Sequence, residues 1–78
     1  MSTHTIIVYS STGCAVCSEV KEYLKKKGAP YTERNIVEDE SALDELVELG
    51  VLTTPATLID GEVLVGFPRQ KMEALLAR

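Results

Sequence analysis

Thr5-Ile6-Ile7-Val8-Tyr9-Ser10-Ser11-Thr12-Gly13-Cys14-Ala15-Val16-Cys17 decides how this chain is read. Its opening, Thr5 to Tyr9, is a short apolar run rich in β-branched side chains and reads as a buried strand in the middle of a sheet. Ser10-Ser11-Thr12-Gly13 breaks that pattern. Beyond it Val16, Val20, Tyr23 and Leu24 fall at i, i+4, i+7 and i+8, the spacing of one helix face. The cysteines therefore stand past the carboxyl end of a strand and at the start of a helix, where open α/β sheets place their chemistry.

Cys14 and Cys17 are the only cysteines in the 78 residues. A bridge closing so small a loop removes only about 2 kcal/mol of chain entropy from the unfolded state, so it cannot staple a fold. A closed zinc site needs four ligands, and the other strong candidate is His4, which reads as a solvated tail residue. No metal is expected. A Cys-x-x-Cys pair in a chain without a disulfide framework points instead to a redox dithiol.

Outward from this stretch, Lys25-Lys26-Lys27 suit the negative end of the helix dipole, Gly28 fits a left-handed cap, and Pro30 forbids continuation. Tyr31 to Ile36 is a more polar strand, expected at a sheet edge. A second helix is expected over Asp39 to Gly50, with Leu43, Leu46, Val47 and Leu49 as its apolar residues. The acids Glu38, Asp39 and Glu40 read as the start of that helix. Asp60-Gly61 between Ala56–Ile59 and Glu62–Val65 predicts a hairpin. A last helix opens with Pro68 in its first turn and carries Met72, Leu75 and Leu76.

The order β-α-β-α-β-β-α predicts an α/β fold in a single domain over residues 1–78. Its β-α-β half demands parallel strands with a right-handed crossover, and its second half an antiparallel hairpin. A mixed four-stranded sheet with helices on both faces follows. The composition, 45% hydrophobic and 26% charged, excludes a disordered or collagen-like chain. No apolar run is long enough for a membrane span, and no signal peptide is predicted from Met1-Ser2-Thr3-His4. A net charge of −4 and a pI near 4.8 speak against nucleic acid as a partner. A cytoplasmic monomer is expected.

The helix start gives the cysteines their chemistry. A free thiol is only about 3% ionised at pH 7, and the thiolate is the nucleophile. Unpaired backbone N–H groups and the helix dipole favour the anion. A pKa near 6.5 would raise the thiolate fraction roughly 25-fold, while falling nucleophilicity takes back roughly 6- to 10-fold. The larger gain is a better leaving group. Cys14, at the helix opening, is expected to attack; Cys17, one turn inside, is expected to resolve the mixed disulfide. Lys21 reads as a solvated helix lysine. The Thr53-Thr54-Pro55 stretch ahead of the hairpin is the second signal.

Tyr9 to Cys17, then Thr53-Thr54-Pro55, then Asp60-Gly61-Glu62 and Gly66-Phe67, in this element order, resemble a glutaredoxin-type member of the thioredoxin superfamily. The resemblance spans about Thr5 to Leu76. It implies a thioredoxin fold and a small thiol–disulfide oxidoreductase, a dithiol electron carrier that needs no cofactor of its own. Cys14 and Cys17 are its catalytic residues, and Thr12, Thr54, Pro55, Gly66 and Phe67 its substrate-binding residues. It implies a cis Thr54–Pro55 bond facing the dithiol, with the Thr54 backbone pairing an extended thiol substrate.

Glutathione-using glutaredoxins carry a lysine where Ser11 stands, Pro-Tyr where Ala15-Val16 stands, and acids after a Gly-Gly; here Val65-Gly66-Phe67-Pro68-Arg69 has none. Gly66-Phe67 followed by Pro and Arg also resembles the NrdH-type redoxins, which thioredoxin reductase reduces and which serve ribonucleotide reductase. The implied partners are protein disulfides such as that of ribonucleotide reductase, with glutathione (as co-substrate) or thioredoxin reductase as electron donor. Two other classes stand beside this reading: a glutathione-dependent iron–sulfur cluster carrier and a non-catalytic binding module.

Overall fold

The computed structural model describes residues 4–77; the start of the chain, where no signal peptide is predicted, lies outside them. Strand β1 (Ile6–Ser10) leads into helix α1 (Ala15–Lys26). Then come β2 (Thr32–Asn35), α2 (Glu40–Glu48), β3 (Ala56–Ile59), β4 (Glu62–Val65) and α3 (Arg69–Leu76). The predicted element order holds. The sheet runs β2-β1-β3-β4. β1 is parallel to β2, with Ile7 opposite Thr32 and Ser10 opposite Asn35. It is antiparallel to β3, with Ile6 opposite Ile59, and β3 is antiparallel to β4. A parallel pair needs a crossover, which α1 supplies.

Strand alternation divides the apolar residues between two faces. Ile6 and Val8 pack with Val20, Tyr23 and Leu24 of α1 and Met72 and Leu75 of α3. Tyr9 and Ala56 pack on the other face with Leu46 of α2 and Val51. Helices thus cover both faces, as expected of a thioredoxin fold. Among the described residues no helix is long and apolar enough to cross a membrane.

Both crossover helices stop in the same way. At the end of α1, Gly28 N donates to the Lys25 carbonyl and Ala29 N to that of Leu24. At the end of α2, Gly50 N donates to Val47 and Val51 N to Leu46. Each glycine sits at positive φ, +68° and +81°, and closes a Schellman motif. The Asp60-Gly61 turn also has positive φ at both residues, the geometry of a type I′ hairpin.

Several expectations shift. In α1, Val16 is 41% exposed, and Cys17 takes the inward position at 1%. The helix begins at Ala15, which rotates its buried stripe onto Cys17, Val20 and Leu24. In α2, only Leu46 of the expected apolar set is buried, joined by Ala42; Leu43, Val47 and Leu49 are exposed. The Ala42–Leu46 pair at i, i+4 is the face the helix lays on the sheet. α2 is shorter than expected at both ends, with Asp39 as its N-cap accepting from Ser41 N and Leu49 as its C-cap. Pro68 is the N-cap of α3 and stands ahead of the first turn.

β1 gains Ser10 and loses Thr5, and Tyr31 and Ile36 lie outside β2. His4 is not a solvated tail residue. Its ring bonds the Asp60 carboxylate and the Leu76 carbonyl, tying the chain start to the hairpin turn and to α3.

Candidate active site

Cys14 is the N-cap of α1, in extended conformation, and the helix proper starts at Ala15. Its sulfur accepts a hydrogen bond from Cys17 N at 3.2 Å, in the way a capping oxygen would. Cys14 and Cys17 are joined in a disulfide, their Cα atoms 5.3 Å apart. Cys14 is half-buried, whereas Cys17 is closed off under the helix. The pair is therefore asymmetric, with Cys14 the more accessible residue and Cys17 the inner one.

The second wall of the site is the turn before β3. The Thr54–Pro55 peptide bond is cis. Ser11, three residues ahead of Cys14, shares a hydrogen bond with the Thr54 hydroxyl at 2.8 Å. Gly66 N donates to the Pro55 carbonyl at 2.8 Å, so the end of β4 is tied to the same turn. Of the residues expected to bind substrate, Thr12 lines a groove with both cysteines, Thr54 is reached through Ser11, and Pro55 and Gly66 are bonded to each other. The contacts of Phe67 run elsewhere. Its ring meets Tyr23 edge-on at 5.6 Å, and the Arg69 guanidinium lies 5.7 Å from its centre.

The groove, of about 400 Å³, runs from the Ser11–Cys14 loop past Cys17 to Lys21, Glu33, Asn35 and Glu38. Lys21, expected as a solvated helix lysine, is partly exposed and also has a partner: its ammonium donates to Glu33 at 2.9 Å. Ser10 Oγ donates to the same carboxylate oxygen at 2.8 Å. The Lys21 and Ser10 hydrogen bonds hold the Glu33 carboxyl below the usual glutamate range. Sequence reasoning missed Glu33 and Asn35. Strand alternation orients Glu33 only once the register is known: it pairs with Val8, whose side chain faces α1, so this acid in a polar edge strand turns toward the dithiol helix. Asn35 reaches Thr12 Oγ1 at 3.4 Å, and its own oxygen accepts from Val37 N and Glu38 N. Among the described residues no group of three or more His, Cys, Asp or Glu is placed to hold a metal ion.

A dithiol at a helix N-terminus, a cis-proline turn beside it and this strand order occur together in known proteins. The glutaredoxin family model matches residues 6–64. The chain belongs to the glutaredoxin family. An uncharacterized glutaredoxin-like protein of 8.6 kDa from the rubredoxin operon of Clostridium pasteurianum is 31% identical over 74 residues, covering 94% of this chain and 99% of that protein. The N-acetyl-S-hydroxy-L-cysteine reductase of Bacillus subtilis is 42% identical over 55 residues, 69% of this chain and 59% of that protein. The crystal structure of the thioredoxin-like protein BC3987 superposes with a TM-score of 0.87 at 36% identity, covering 91% of this glutaredoxin-family chain and 99% of that one. The family is one of oxidoreductases, and this chain carries the Cys14–Cys17 pair at the start of α1.

Proposed function

We propose that this chain is a dithiol electron carrier that reduces disulfides by cycling Cys14 and Cys17. The Cys14 thiolate attacks a substrate disulfide, forms a mixed disulfide and expels one substrate thiolate. Cys17, deprotonated, then attacks the Cys14 sulfur, closes the Cys14–Cys17 bridge and expels the second thiolate. The substrate gains two electrons and two protons. The observation that carries this reading is the asymmetry of the pair: Cys14 caps α1 and is half-buried, while Cys17 is 1% exposed directly behind it. Helix-end N–H groups favour the attacking anion. Thr54, beside the cis-proline, is the proposed backbone partner of an extended substrate segment, with Thr12, Pro55, Gly66 and Phe67 as the surrounding surface.

Thioredoxin reductase is the donor we favour over glutathione. In support, Ser11 stands where glutathione-using relatives carry a lysine, and its hydroxyl is engaged by Thr54. No acid follows Gly66 before Gln70. Protein disulfides such as that of ribonucleotide reductase are the proposed targets. The test is to offer the oxidised protein glutathione with glutathione reductase, or thioredoxin reductase alone, and to follow NADPH. Turnover only with thioredoxin reductase supports the reading. Turnover only with glutathione overturns the choice of donor, and turnover with neither overturns the carrier reading.

A second reading has its own support in the 42% identity to a reductase of N-acetyl-S-hydroxy-L-cysteine. That substrate is a sulfenic acid, and a groove of about 400 Å³ beside Cys14 has room for a small molecule. Cys14 would displace hydroxide from the substrate sulfur, and Cys17 would release the thiol. Consumption of this compound by the reduced protein, with formation of the Cys14–Cys17 disulfide, is the decisive measurement.

A further inference from the structure

One carboxylate oxygen ties three elements together at the side of the groove. Glu33 Oε2, on β2, accepts from Ser10 Oγ at the end of β1 and from Lys21 Nζ on α1, at 2.8 and 2.9 Å. Lys21 and Glu33 line the same groove as Cys14 and Cys17. Lys21 stands four residues beyond Cys17, so one helical turn brings the cation to the side of the buried sulfur. Ser10 is 1% exposed and fixes one end of the arrangement, while the Lys21 and Glu33 side chains, 27% and 39% exposed, face the groove from its solvent side. Among the described residues the other charged groups near it are Glu38, on the rim of the groove, Lys25, whose charge also acts on Glu33, and Arg34 and Asp39, which line an adjoining pocket with Glu33 and Glu38.

Each charge alone would bias the dithiol, and in opposite directions. A cation near the sulfurs stabilises thiolate and so favours the reduced pair, because the disulfide carries no charge. A carboxylate in the same place disfavours thiolate and favours the disulfide. Bonded to each other at 2.9 Å, the two largely cancel at the sulfurs.

We propose that Glu33 is a positioning residue for the redox equilibrium of Cys14 and Cys17, neutralising Lys21 in the groove while it holds that lysine against the end of β1. The inference rests on the dithiol cycling proposed above. The relevant exchange is Cys14–Cys17 disulfide plus a reference dithiol giving the Cys14/Cys17 dithiol plus the reference disulfide. It moves two electrons and two protons.

The experiment measures that equilibrium constant at neutral pH in the full chain. Glu33→Gln keeps the shape and an acceptor for Ser10 but unmasks Lys21, and shifts the constant about threefold toward the dithiol. Lys21→Gln leaves the carboxylate alone and shifts it about threefold toward the disulfide. The double variant returns close to the unaltered value. Glu33→Asp, which retains the charge, stays close to it too, and if Glu33→Gln fails to fold the shift of Lys21→Gln toward the disulfide against the unmoved Glu33→Asp carries the test. Lys26→Gln, exposed in the last turn of α1 and outside the groove, controls for net charge. A purely structural role would move both single variants the same way. That outcome, or no movement in either, overturns the inference. An unaltered chain that reaches no equilibrium with any dithiol would instead sink the redox reading itself.

Discussion

Ser11 and Thr54, 43 positions apart in sequence, meet through their hydroxyls at 2.8 Å. The bond joins the loop that presents Cys14 to the turn holding the cis-proline, so two chain segments with no covalent link near the site keep one spacing. A single hydrogen bond contributes about 0.5–1.5 kcal/mol. Ser11→Ala is therefore expected to lower kcat/KM toward a protein disulfide by roughly 2- to 13-fold, mostly through KM, because the serine touches the walls and not the sulfur. Steady-state kinetics decide it: an unchanged kcat/KM would mean the spacing is set without this bond.

The different burial of the cysteines separates their variants. Cys14→Ser is expected to reduce no disulfide at all. Cys17→Ser keeps the nucleophile but cannot resolve, so it should accumulate a mixed disulfide visible as a mass increase equal to one substrate thiol. If the adduct forms on Cys14→Ser instead, attack comes from Cys17 and the assignment of roles reverses.

Element order, hairpin and cysteine placement could be read from the chain because each has a local cause. Asp60-Gly61 supports positive φ at both turn positions, and the apolar run of β1 suits a strand buried on both faces. The helix faces were less legible. Val16 and Cys17 are neighbours of similar apolar character, and periodicity alone cannot tell which one starts the buried stripe. The Lys21–Glu33–Ser10 cluster was hidden for a different reason. It depends on which strand lies beside β1 and in what register, a long-range fact that no local pattern carries.

Acid should expose the Glu33 contribution. Its carboxyl is held below the ordinary value of 4.5, first by the Lys21 hydrogen bond and then by that of Ser10. A depressed folded pKa means the unfolded chain takes up the proton more readily. The stabilisation is present above about pH 4.5 and is lost as pH falls through the lower folded value. Thermal unfolding from pH 7 down to pH 3 should show a steeper acid decline for the unaltered chain than for Glu33→Gln. Parallel declines would mean the interaction adds nothing in solution.

The two sides of α2 should respond differently to truncation. Leu46 is fully buried against Tyr9, Val51 and Ala56, whereas Leu43 is 40% exposed on the same helix. Leu46→Ala is expected to cost about 2–5 kcal/mol, enough to unfold much of so small a chain. Leu43→Ala should cost less than about 1 kcal/mol. Denaturant midpoints measure both, and similar losses would place Leu43 in contacts that its exposure does not suggest.

Tyr23 offers a stabilising change. Its ring is packed in the core and against Phe67, yet its buried hydroxyl has no hydrogen-bond partner among the described residues. Burial holds the phenol above its ordinary value of 10.0, as a group with little to stabilise its anion should be. An unmet buried hydroxyl costs about 1–3 kcal/mol, while the ring supplies the packing. Tyr23→Phe keeps the ring and its edge-on contact and removes the burden. It should raise stability by about 1 kcal/mol, a rise of about 4–8 °C in Tm for a domain of this size. The outcome also bears on the site, since Tyr23 lies on α1 below the dithiol and carries Phe67 on its edge. Gained stability with unchanged disulfide reduction would assign the hydroxyl no part in the chemistry. Gained stability with impaired turnover would show that Phe67, held by this ring, belongs to the docking surface and senses how tightly Tyr23 is packed.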